Sequence, residues 1–428
     1  MKPVNIVSFA AVASGAAIDH NRLERRQSAT PKTSTGSMPD LISQATSWLM
    51  NNEAVKNYMK GIDVNKVMFQ VLDKAQQYQL LDPIMSGLPQ YKVVKTVNLP
   101  LDPQVKLAGA KTIEVWNGPI DLITAVEAAK QTGLDSLMKM DKGSVSITGV
   151  VDGFPKDITV LLAALSLRFE DGSPADVANN VYNHHTVLAN VRKPLHLPFK
   201  CANNNNQPLS APILTAVAEE GGSSPYAGQN GTFKSGNYLG KDQKILFSSE
   251  VVNYGNATKK IYAVAKLSYI EGKPKDYMES GVAVLNVKEC DDGLTALRPP
   301  EGQKVYSYKS KEMLVTEDGY ILQIRGHLHD GGESISMNLN GKEVCNSKAI
   351  YEKKNTAANG DVWLALNDMT ECLDPLLVHK DDKVVIEAKY DLNKHPARKH
   401  AHASMMGGDA EEMGVLNWQF ARLSTKQQ

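Results

Sequence analysis

The stretch ILQIRGHLHDGG, residues 321–332, places two of the chain's ten histidines two residues apart and just behind an arginine. If it forms a strand, alternate side chains point to opposite faces of the sheet. The apolar face, with Gly326 in its middle, consists of Leu322, Ile324 and Leu328. The opposite face consists of Gln323, Arg325, His327 and His329. The stretch therefore predicts a strand that packs on one side and presents two imidazoles and a guanidinium on the other.

A second histidine pair, His184 and His185, lies in VYNHHTVLANV, residues 181–191. Neutral imidazoles are common ligands of transition metals, so both pairs are candidate metal ligands. Adjacent residues of a regular strand face opposite ways. Both rings can therefore reach one metal only if the strand bulges or one ring uses its other nitrogen. The alternative for each pair is a polar strand surface without a metal.

A third candidate ligand is Met413, in MMGGDAEEMGVLNWQFA, residues 405–421. Leu416, Trp418 and Phe420 alternate on one face, which predicts the core side of a strand. Met413 falls on the other face. A thioether beside two imidazoles is a soft ligand set that favours copper over zinc. The alternative is that this methionine only packs.

The composition excludes several classes of partner. The 428 residues carry 47 basic and 47 acidic side chains, and no basic stripe with interleaved aromatic residues is present. Nucleic acid is therefore not an expected partner. No apolar run reaches about 18 residues, so no membrane span is expected. The length suggests two or three domains.

The fold class predicted from these patterns is mainly β, with two β-sandwich domains after a helical N-terminal region. Short β-branched runs separated by turns dominate after Lys142, and Asn340-Gly341 is a hairpin signal. One helix is expected at residues 118–140, with Pro119 in its first turn. Pro299-Pro300 marks a linker between the sandwiches. Residues 1–26 are predicted to be a signal peptide and propeptide, and residues 27–90 a disordered start followed by helices. Residues 91–298 are predicted to form the first sandwich with a helical insertion, and residues 299–428 the second sandwich.

Several features predict a secreted glycoprotein. Lys2 followed by a weakly apolar stretch that ends in small residues resembles a signal peptide, and Arg25-Arg26 resembles a dibasic processing site. Asn230 and Asn256 begin glycosylation triplets.

The four cysteines suit two disulfides in an oxidising compartment. Three connectivities are possible. We favour Cys345 with Cys372, which are close in sequence, and this leaves Cys201 with Cys290.

The order of the motifs resembles a known family. Adjacent HH, then R-x-H-x-H, then a Gly-Gly stretch that leads into an acidic residue and Met413, is similar to the copper type II, ascorbate-dependent monooxygenases such as peptidylglycine α-hydroxylating monooxygenase. NHH, GHLHDGG and GKEVC are closer still to the secreted stress up-regulated nodulin-like proteins of plants and fungi. The resemblance covers roughly residues 145–425.

This resemblance implies two jelly-roll-like sandwiches, each with one copper. It assigns His327, His329 and Met413 to the copper that activates oxygen, and His184 and His185 to the copper that supplies electrons. Arg325 corresponds to an arginine that grips the substrate carboxylate, a task that suits a guanidinium.

Two departures from the family pattern bear on function. Asn253, in Val252-Asn253-Tyr254-Gly255, stands where the family has a third histidine of the electron-supplying site. An amide oxygen is a poor ligand for Cu(I). Val415 and Asn417 replace the Asn and Tyr that help to fix a peptide carboxylate. One tight copper and a second that is weak or absent are therefore expected, and water or His196 could replace the missing ligand.

Two functions follow from this reading. The first is a secreted copper monooxygenase that hydroxylates an unknown small molecule or peptide, with ascorbate as a possible reductant. The second is a non-catalytic copper-binding or cell-surface protein on the same scaffold.

Overall fold

A computed structural model of the chain describes residues 81–131, 143–194, 196–202, 212–291, 296–355, 362–397 and 412–423. Strands dominate these residues, which confirms the mainly β fold class. The signal peptide, the propeptide and the helices expected before residue 80 lie outside the described residues. None of the helices in the described ranges has the length and apolar character needed to cross a membrane.

The described elements are two short α-helices, two single-turn 3-10 helices (Val177–Asn179 and Gln229–Gly231) and a series of strands. The α-helices are α1 (Leu81–Ser86) and α2 (Ala125–Ala128). The first strands are β1 (Gln90–Tyr91), β2 (Val93–Leu99), β3 (Lys111–Leu122), β4 (Ser144–Val151), β5 (Ile158–Arg168), β6 (Val181–Asn190), β7 (Phe199–Cys201), β8 (Ile213–Val217), β9 (Ser223–Pro225), β10 (Ser235–Leu239), β11 (Ile245–Asn253) and β12 (Lys259–Glu271). The remaining strands are β13 (Met278–Asn286), β14 (Ala296–Leu297), β15 (Val305–Lys309), β16 (Met313–Val315), β17 (Gly319–Leu328), β18 (Gly332–Leu339), β19 (Lys342–Asn355), β20 (Val362–Met369), β21 (Glu371–Cys372), β22 (Leu376–Val378), β23 (Lys383–Asp391) and β24 (Glu412–Arg422).

These strands form three sheets. The first has the order β1-β4-β11-β6-β8. The second is a long sheet whose main path is β2-β3-β12-β5-β10-β13-β24-β17-β21. The third has the main path β20-β19-β18-β23-β16-β7. The long sheet contributes to both sandwiches, so hydrogen-bonded strands connect the two halves of the protein.

Two apolar cores lie between these sheets. The first core packs the first sheet against one end of the long sheet, through side chains such as Phe247, Leu188, Val115 and Leu165. The second core packs the other end of the long sheet against the third sheet, through side chains such as Trp418, Ile324, Ile386 and Met313. Phe199 and Leu285 also belong to the second core. The second sandwich therefore draws on residues before Pro299, and the domain division stays a prediction.

The opening stretch forms β17 with the expected faces, apart from one residue. Ile324 and Leu328 lie in the second core, as predicted. The expectation for Leu322 is wrong, because a register shift between Ile321 and Gln323 puts Ile321 into that core instead.

The hairpin predicted at Asn340-Gly341 and the helix predicted to start near Pro119 had different outcomes. Asn340 and Gly341 adopt positive φ values of 51° and 84° and connect β18 to β19, which confirms the hairpin. Pro119 does not begin a helix, because strand pairing with β12 carries β3 through to Leu122. Helix α2 instead begins after Thr124, whose side chain and Glu127 form a capping box. The residues that follow, 132–142, lie outside the described ranges.

Both disulfides predicted from the sequence are present. Cys201 bonds Cys290, and Cys345 bonds Cys372. The second bond joins β19 to β21, and these strands belong to the third sheet and the long sheet. It therefore ties together the two layers of the second sandwich.

Replacing both Cys345 and Cys372 by alanine should lower the free energy of unfolding by roughly 3 kcal/mol, because the reduced unfolded chain regains the loop's entropy. The measurement is urea unfolding of the variant beside the oxidised parent. A loss of stability well below 1 kcal/mol would contradict the prediction.

Candidate metal centre

A bulge in β6 brings the first histidine pair together. His185 lies opposite Glu250 of β11, and Asn183 lies opposite Val251, so His184 is the extra residue. A bulge turns two consecutive side chains toward the same region. The Nδ1 atoms of the two rings are 3.0 Å apart, and the ring centroids are 5.0 Å apart. The bulge required for a shared metal is therefore present.

Glu250 adds a carboxylate to this pair. Its Oε2 lies 3.7 Å from Nδ1 of His184, and its Oε1 accepts a 2.6 Å hydrogen bond from Ser144 Oγ. The possible ligand atoms of His184, His185 and Glu250 all lie within 4.8 Å of one another. The sequence carried one overlooked signal for this residue, a single acidic side chain within the otherwise neutral strand ILFSSEVVN.

The second histidine pair lies against the first. The ring centroids of His184 and His329 are 5.0 Å apart, and those of His329 and His327 are 5.5 Å apart. We call His184, His185, His327 and His329 the histidine cluster. The two pairs, which the family resemblance assigned to different coppers, are thus joined by ring contacts where the two sandwiches meet. Which rings share a metal stays a prediction.

The buried environment sets the charges of this cluster. Burial lowers the pKa of His185 to about 4, and the neighbouring charge of His184 adds to the shift. Burial by itself would raise the pKa of Glu250, but the hydrogen bond and charge of His184 outweigh it and bring that pKa to about 2. At neutral pH the imidazole of His185 is therefore neutral and the carboxylate of Glu250 is ionised. These are the protonation states in which the two groups bind a metal.

Glu220 orients His327. Its carboxylate is hydrogen-bonded to Nδ1 of His327. An ionised carboxylate can only accept, so Nδ1 carries the proton and Nε2 of a neutral ring remains as the ligand atom. Burial would raise the pKa of Glu220, yet the charge of His327 leaves it below its ordinary value. The stretch EEGGSSPYAGQNG, residues 219–231, has a composition typical of a surface loop, yet Glu220 is only 9 % exposed.

Arg325 lies beside the cluster and has acidic partners. Its Nη2 is 2.7 Å from Oδ1 of Asp368 and donates a 2.9 Å hydrogen bond to the carbonyl oxygen of Glu220. Its Nη1 is 3.8 Å from a carboxylate oxygen of Glu371. The role of this arginine in gripping a substrate carboxylate stays a prediction.

Met413 lies at the start of β24 and is 8 % exposed. Val415 pairs with His327 and Gly414 pairs with Leu328. Directly opposed residues of antiparallel strands share a face, so alternation puts Met413 on the face of His327. Its role as a ligand stays a prediction.

Comparison with known proteins supports a relation to copper enzymes. No protein-family model matches the sequence. The chain is 22 % identical over 264 residues to probable copper-dependent oxygenase M1 of a Phoma species, a match that spans 60 % of this chain and 62 % of that protein. It is 23 % identical over 240 residues to probable copper-dependent oxygenase clz3 of Cochliobolus lunatus, across 54 % of this chain and 70 % of that protein. The chain is therefore distantly similar to two proteins that are named as probable copper-dependent oxygenases.

Solved structures give only weak matches. The major capsid protein of bacteriophage PM2 has a TM-score of 0.28 at 10 % identity and covers 77 % of this chain and 98 % of its own. PNGase F, a glycosylasparaginase from Flavobacterium meningosepticum, has a TM-score of 0.35 at 11 % identity and covers 73 % of this chain and 96 % of its own. The fold description therefore rests on the sheets themselves.

The side chain of Asn253, where the family resemblance implied a histidine, forms hydrogen bonds with the backbone. Its amide nitrogen donates to the carbonyl oxygens of Leu122 at 3.0 Å and Ala257 at 2.9 Å. Its amide oxygen accepts from the backbone nitrogen of Gly255 at 2.9 Å. The side chain closes a turn, and Glu250 is the residue of β11 that lies beside the histidines.

His196, a candidate for the missing ligand, has other partners. It is hydrogen-bonded to Glu317, and its ring stacks on Phe420. Phe420 pairs with Ile321, six residues along β17 from His327, and this spacing corresponds to roughly 20 Å. His196 is therefore remote from the histidine cluster.

A polar cleft of about 520 Å³ adjoins the cluster. Glu220 and Arg325 contribute to its wall, together with acidic side chains from both sandwiches. The acidic wall residues are Asp176, Glu219, Glu220, Asp368 and Glu371. Glu220 connects the wall of this cleft to the cluster, because its carboxylate is hydrogen-bonded to His327.

Proposed function

We propose that the chain is a copper-dependent oxygenase that binds copper at the histidine cluster and hydroxylates a small molecule or peptide. The observation that carries the proposal is the bulged pair of His184 and His185, in which the ring of His184 also contacts that of His329 from the other sandwich. The names of the two relatives agree with it.

The spacing of the rings fits metal ligation. Two nitrogens that bind one ion at about 2.0–2.1 Å lie about 3 Å apart. The Nδ1 atoms of His184 and His185 are 3.0 Å apart. Ring centroids of two such ligands lie roughly 5 Å apart, and the centroids of His184 and His329 are 5.0 Å apart. The ring of His329 lies beside this pair, and we propose that it joins them as a ligand, although the ligand atoms that lie within 4.8 Å of one another are those of His184, His185 and Glu250.

The ligand types narrow the choice of metal. Two histidines with one carboxylate are also the ligand set of non-haem iron oxygenases, and His184, His185 and Glu250 match that set. A third imidazole and a thioether favour copper. We propose His329 and Met413 for these roles, with His327 as a further ligand on the same side.

The surrounding residues prepare the site. The chemistry that copper supplies when bound is one-electron activation of dioxygen toward a C–H bond. Glu220 fixes the orientation and tautomer of His327, and Ser144 holds Glu250 beside His184. Burial of His184 and Glu250, which are 3 % and 4 % exposed, keeps bulk water away from the ligand atoms. The acidic cleft beside Arg325 is the proposed substrate entrance.

We also propose that the protein is secreted and uses ascorbate or a similar reductant. The two disulfides suit an oxidising compartment. Asn230 and Asn256 are both exposed, as glycosylation requires.

A non-catalytic copper-binding protein is the second candidate function. The observation that favours it is the engagement of Arg325 by Asp368 and by the carbonyl oxygen of Glu220. A guanidinium already bound by a carboxylate offers less to a substrate carboxylate. Asn253, committed to a turn, supplies no ligand to a second copper.

Metal analysis of the full chain from a secretory host separates these candidates. We expect one tightly bound copper per chain, with a second weak or absent, and oxygen consumption on addition of ascorbate. Copper without oxygen consumption would support the binding protein. Iron or zinc in place of copper would overturn both.

A further inference from the structure

A second cleft, of about 430 Å³, lies far from the histidine cluster. Arg192, Lys193 and Gln243 line it from the first sandwich, and Phe420 and Arg422 line it from β24. Phe420 lies roughly 20 Å from the position of His327 along β17, by the strand spacing. We call this the basic cleft. It is separate from the proposed oxygenase site.

Positive charge exceeds negative charge in its wall. The charged wall residues other than His196 are Arg192, Lys193, Lys273 and Arg422 against Asp242 and Glu279. Four cations and two anions leave a formal excess of two positive charges. Glu279 is shared, because its carboxylate lies 2.6 Å from Lys193 and 3.3 Å from Lys273. One carboxylate thus balances two ammonium groups.

Arg422 is the cation of this wall that has no ion-pair partner among the described residues. Within the described part of the chain it forms no ion pair, whereas Arg192 is paired with Asp82 at 2.6 Å. Burial lowers the pKa of Lys193, and the positive charges of Arg422 and Lys273 lower it further, against the opposite effect of Glu279. The charge of Arg422 therefore acts at Lys193, and both side chains line the same cleft.

Gln243 provides an acceptor for a hydrogen-bond donor of a ligand. Its amide nitrogen donates to the carbonyl oxygen of Pro155 at 2.8 Å. Its amide oxygen is buried and has no hydrogen-bond partner among the described residues. A buried acceptor without a partner costs free energy, which a ligand hydroxyl would recover. Val282 and Phe420 supply an apolar part of the same wall.

We propose that the basic cleft binds a small organic anion that carries hydroxyl groups, a polyhydroxy carboxylate. Arg422 and Lys193 would hold the carboxylate, since charge-assisted hydrogen bonds to a carboxylate are the strong ones. Gln243 would accept from a hydroxyl. The carboxylate of such a ligand would balance the excess positive charge, and a hydroxyl would donate to the unpaired amide oxygen of Gln243.

The test is isothermal titration of the full chain with gluconate and, separately, with the matched neutral polyol glucitol. Gluconate should bind and glucitol should not. Arg422→Gln should weaken gluconate binding by about tenfold or more, the scale of a lost charged hydrogen bond. Lys234→Gln removes an equal charge from an exposed lysine outside the cleft, and it should leave binding unchanged.

Two further variants keep the result decisive. If Arg422→Gln does not fold, Lys273→Gln serves instead, because that side chain is 57 % exposed. Gln243→Leu should weaken gluconate binding but leave acetate binding unchanged. Equal binding of gluconate and glucitol, no gluconate binding at all, or full gluconate binding by the cleft variants overturns the proposal.

Discussion

Replacing His184 by alanine should abolish tight copper binding. His184 contacts both His185 and His329, so its removal breaks the proposed ligand set at its centre. Loss of a residue that only supports a ligand costs 10- to 100-fold in metal affinity, so loss of the ligand should exceed about 100-fold. Competition with a chelator, followed by metal analysis, measures this loss. His379→Ala is the matched control, because its ring is 62 % exposed and its ion-pair partner among the described residues is Asp318.

His329→Ala tests whether the two sandwiches share one copper. If His184 and His329 bind the same ion, either substitution should remove the same copper and its spectroscopic signal. If each histidine pair binds its own ion, each variant should keep one copper. Retention of tight copper by the His184 variant would contradict the proposed site. Retention of one copper by each variant would restore the two-site arrangement that the family resemblance implies, and retention by the His329 variant alone would show that His329 is not a ligand of this copper.

Local sequence patterns predicted the strands and most of their faces. The alternation around His327 and around Trp418 corresponds to buried and site-facing sides of β17 and β24. It failed at Leu322, because a bulge changes the phase of alternation and leaves no mark in composition. The adjacent pair of His184 and His185 did indicate a bulge, since a shared metal requires one.

The carboxylates of the site could not be located in the same way. Glu220 lies in a Gly- and Ser-rich stretch typical of an exposed loop, and only the approach of the other sandwich buries it against His327. Glu250 reaches His184 through the pairing of β11 with β6, a contact between residues far apart in sequence. Such contacts are set by tertiary packing, and a single sequence does not show them.

Removal of His184 should also destabilise the metal-free protein, by roughly 3–5 kcal/mol, because it leaves a buried charge without its main partner. Glu250 is 4 % exposed, and its pKa near 2 keeps it ionised at neutral pH. After the substitution, Ser144 would remain to solvate the carboxylate. Urea unfolding in the presence of a chelator measures this loss, and His379→Ala should stay within about 0.5 kcal/mol of the parent.

A double variant isolates the charge. Glu250→Gln removes the negative charge and keeps an acceptor for Ser144. The variant with both His184→Ala and Glu250→Gln should therefore be more stable than His184→Ala alone, although it carries one more change in the core. The coupling between two contacting residues of this kind is expected at about 1–3 kcal/mol. Simple additivity of the two losses would show that His184 stabilises the fold by filling space, and that Glu250 does not depend on it. Recovery of stability in the double variant would instead show that His184 stabilises the metal-free protein by compensating the buried charge of Glu250. The ion pair in the bulge would then be what holds these ligand atoms in position before a metal binds.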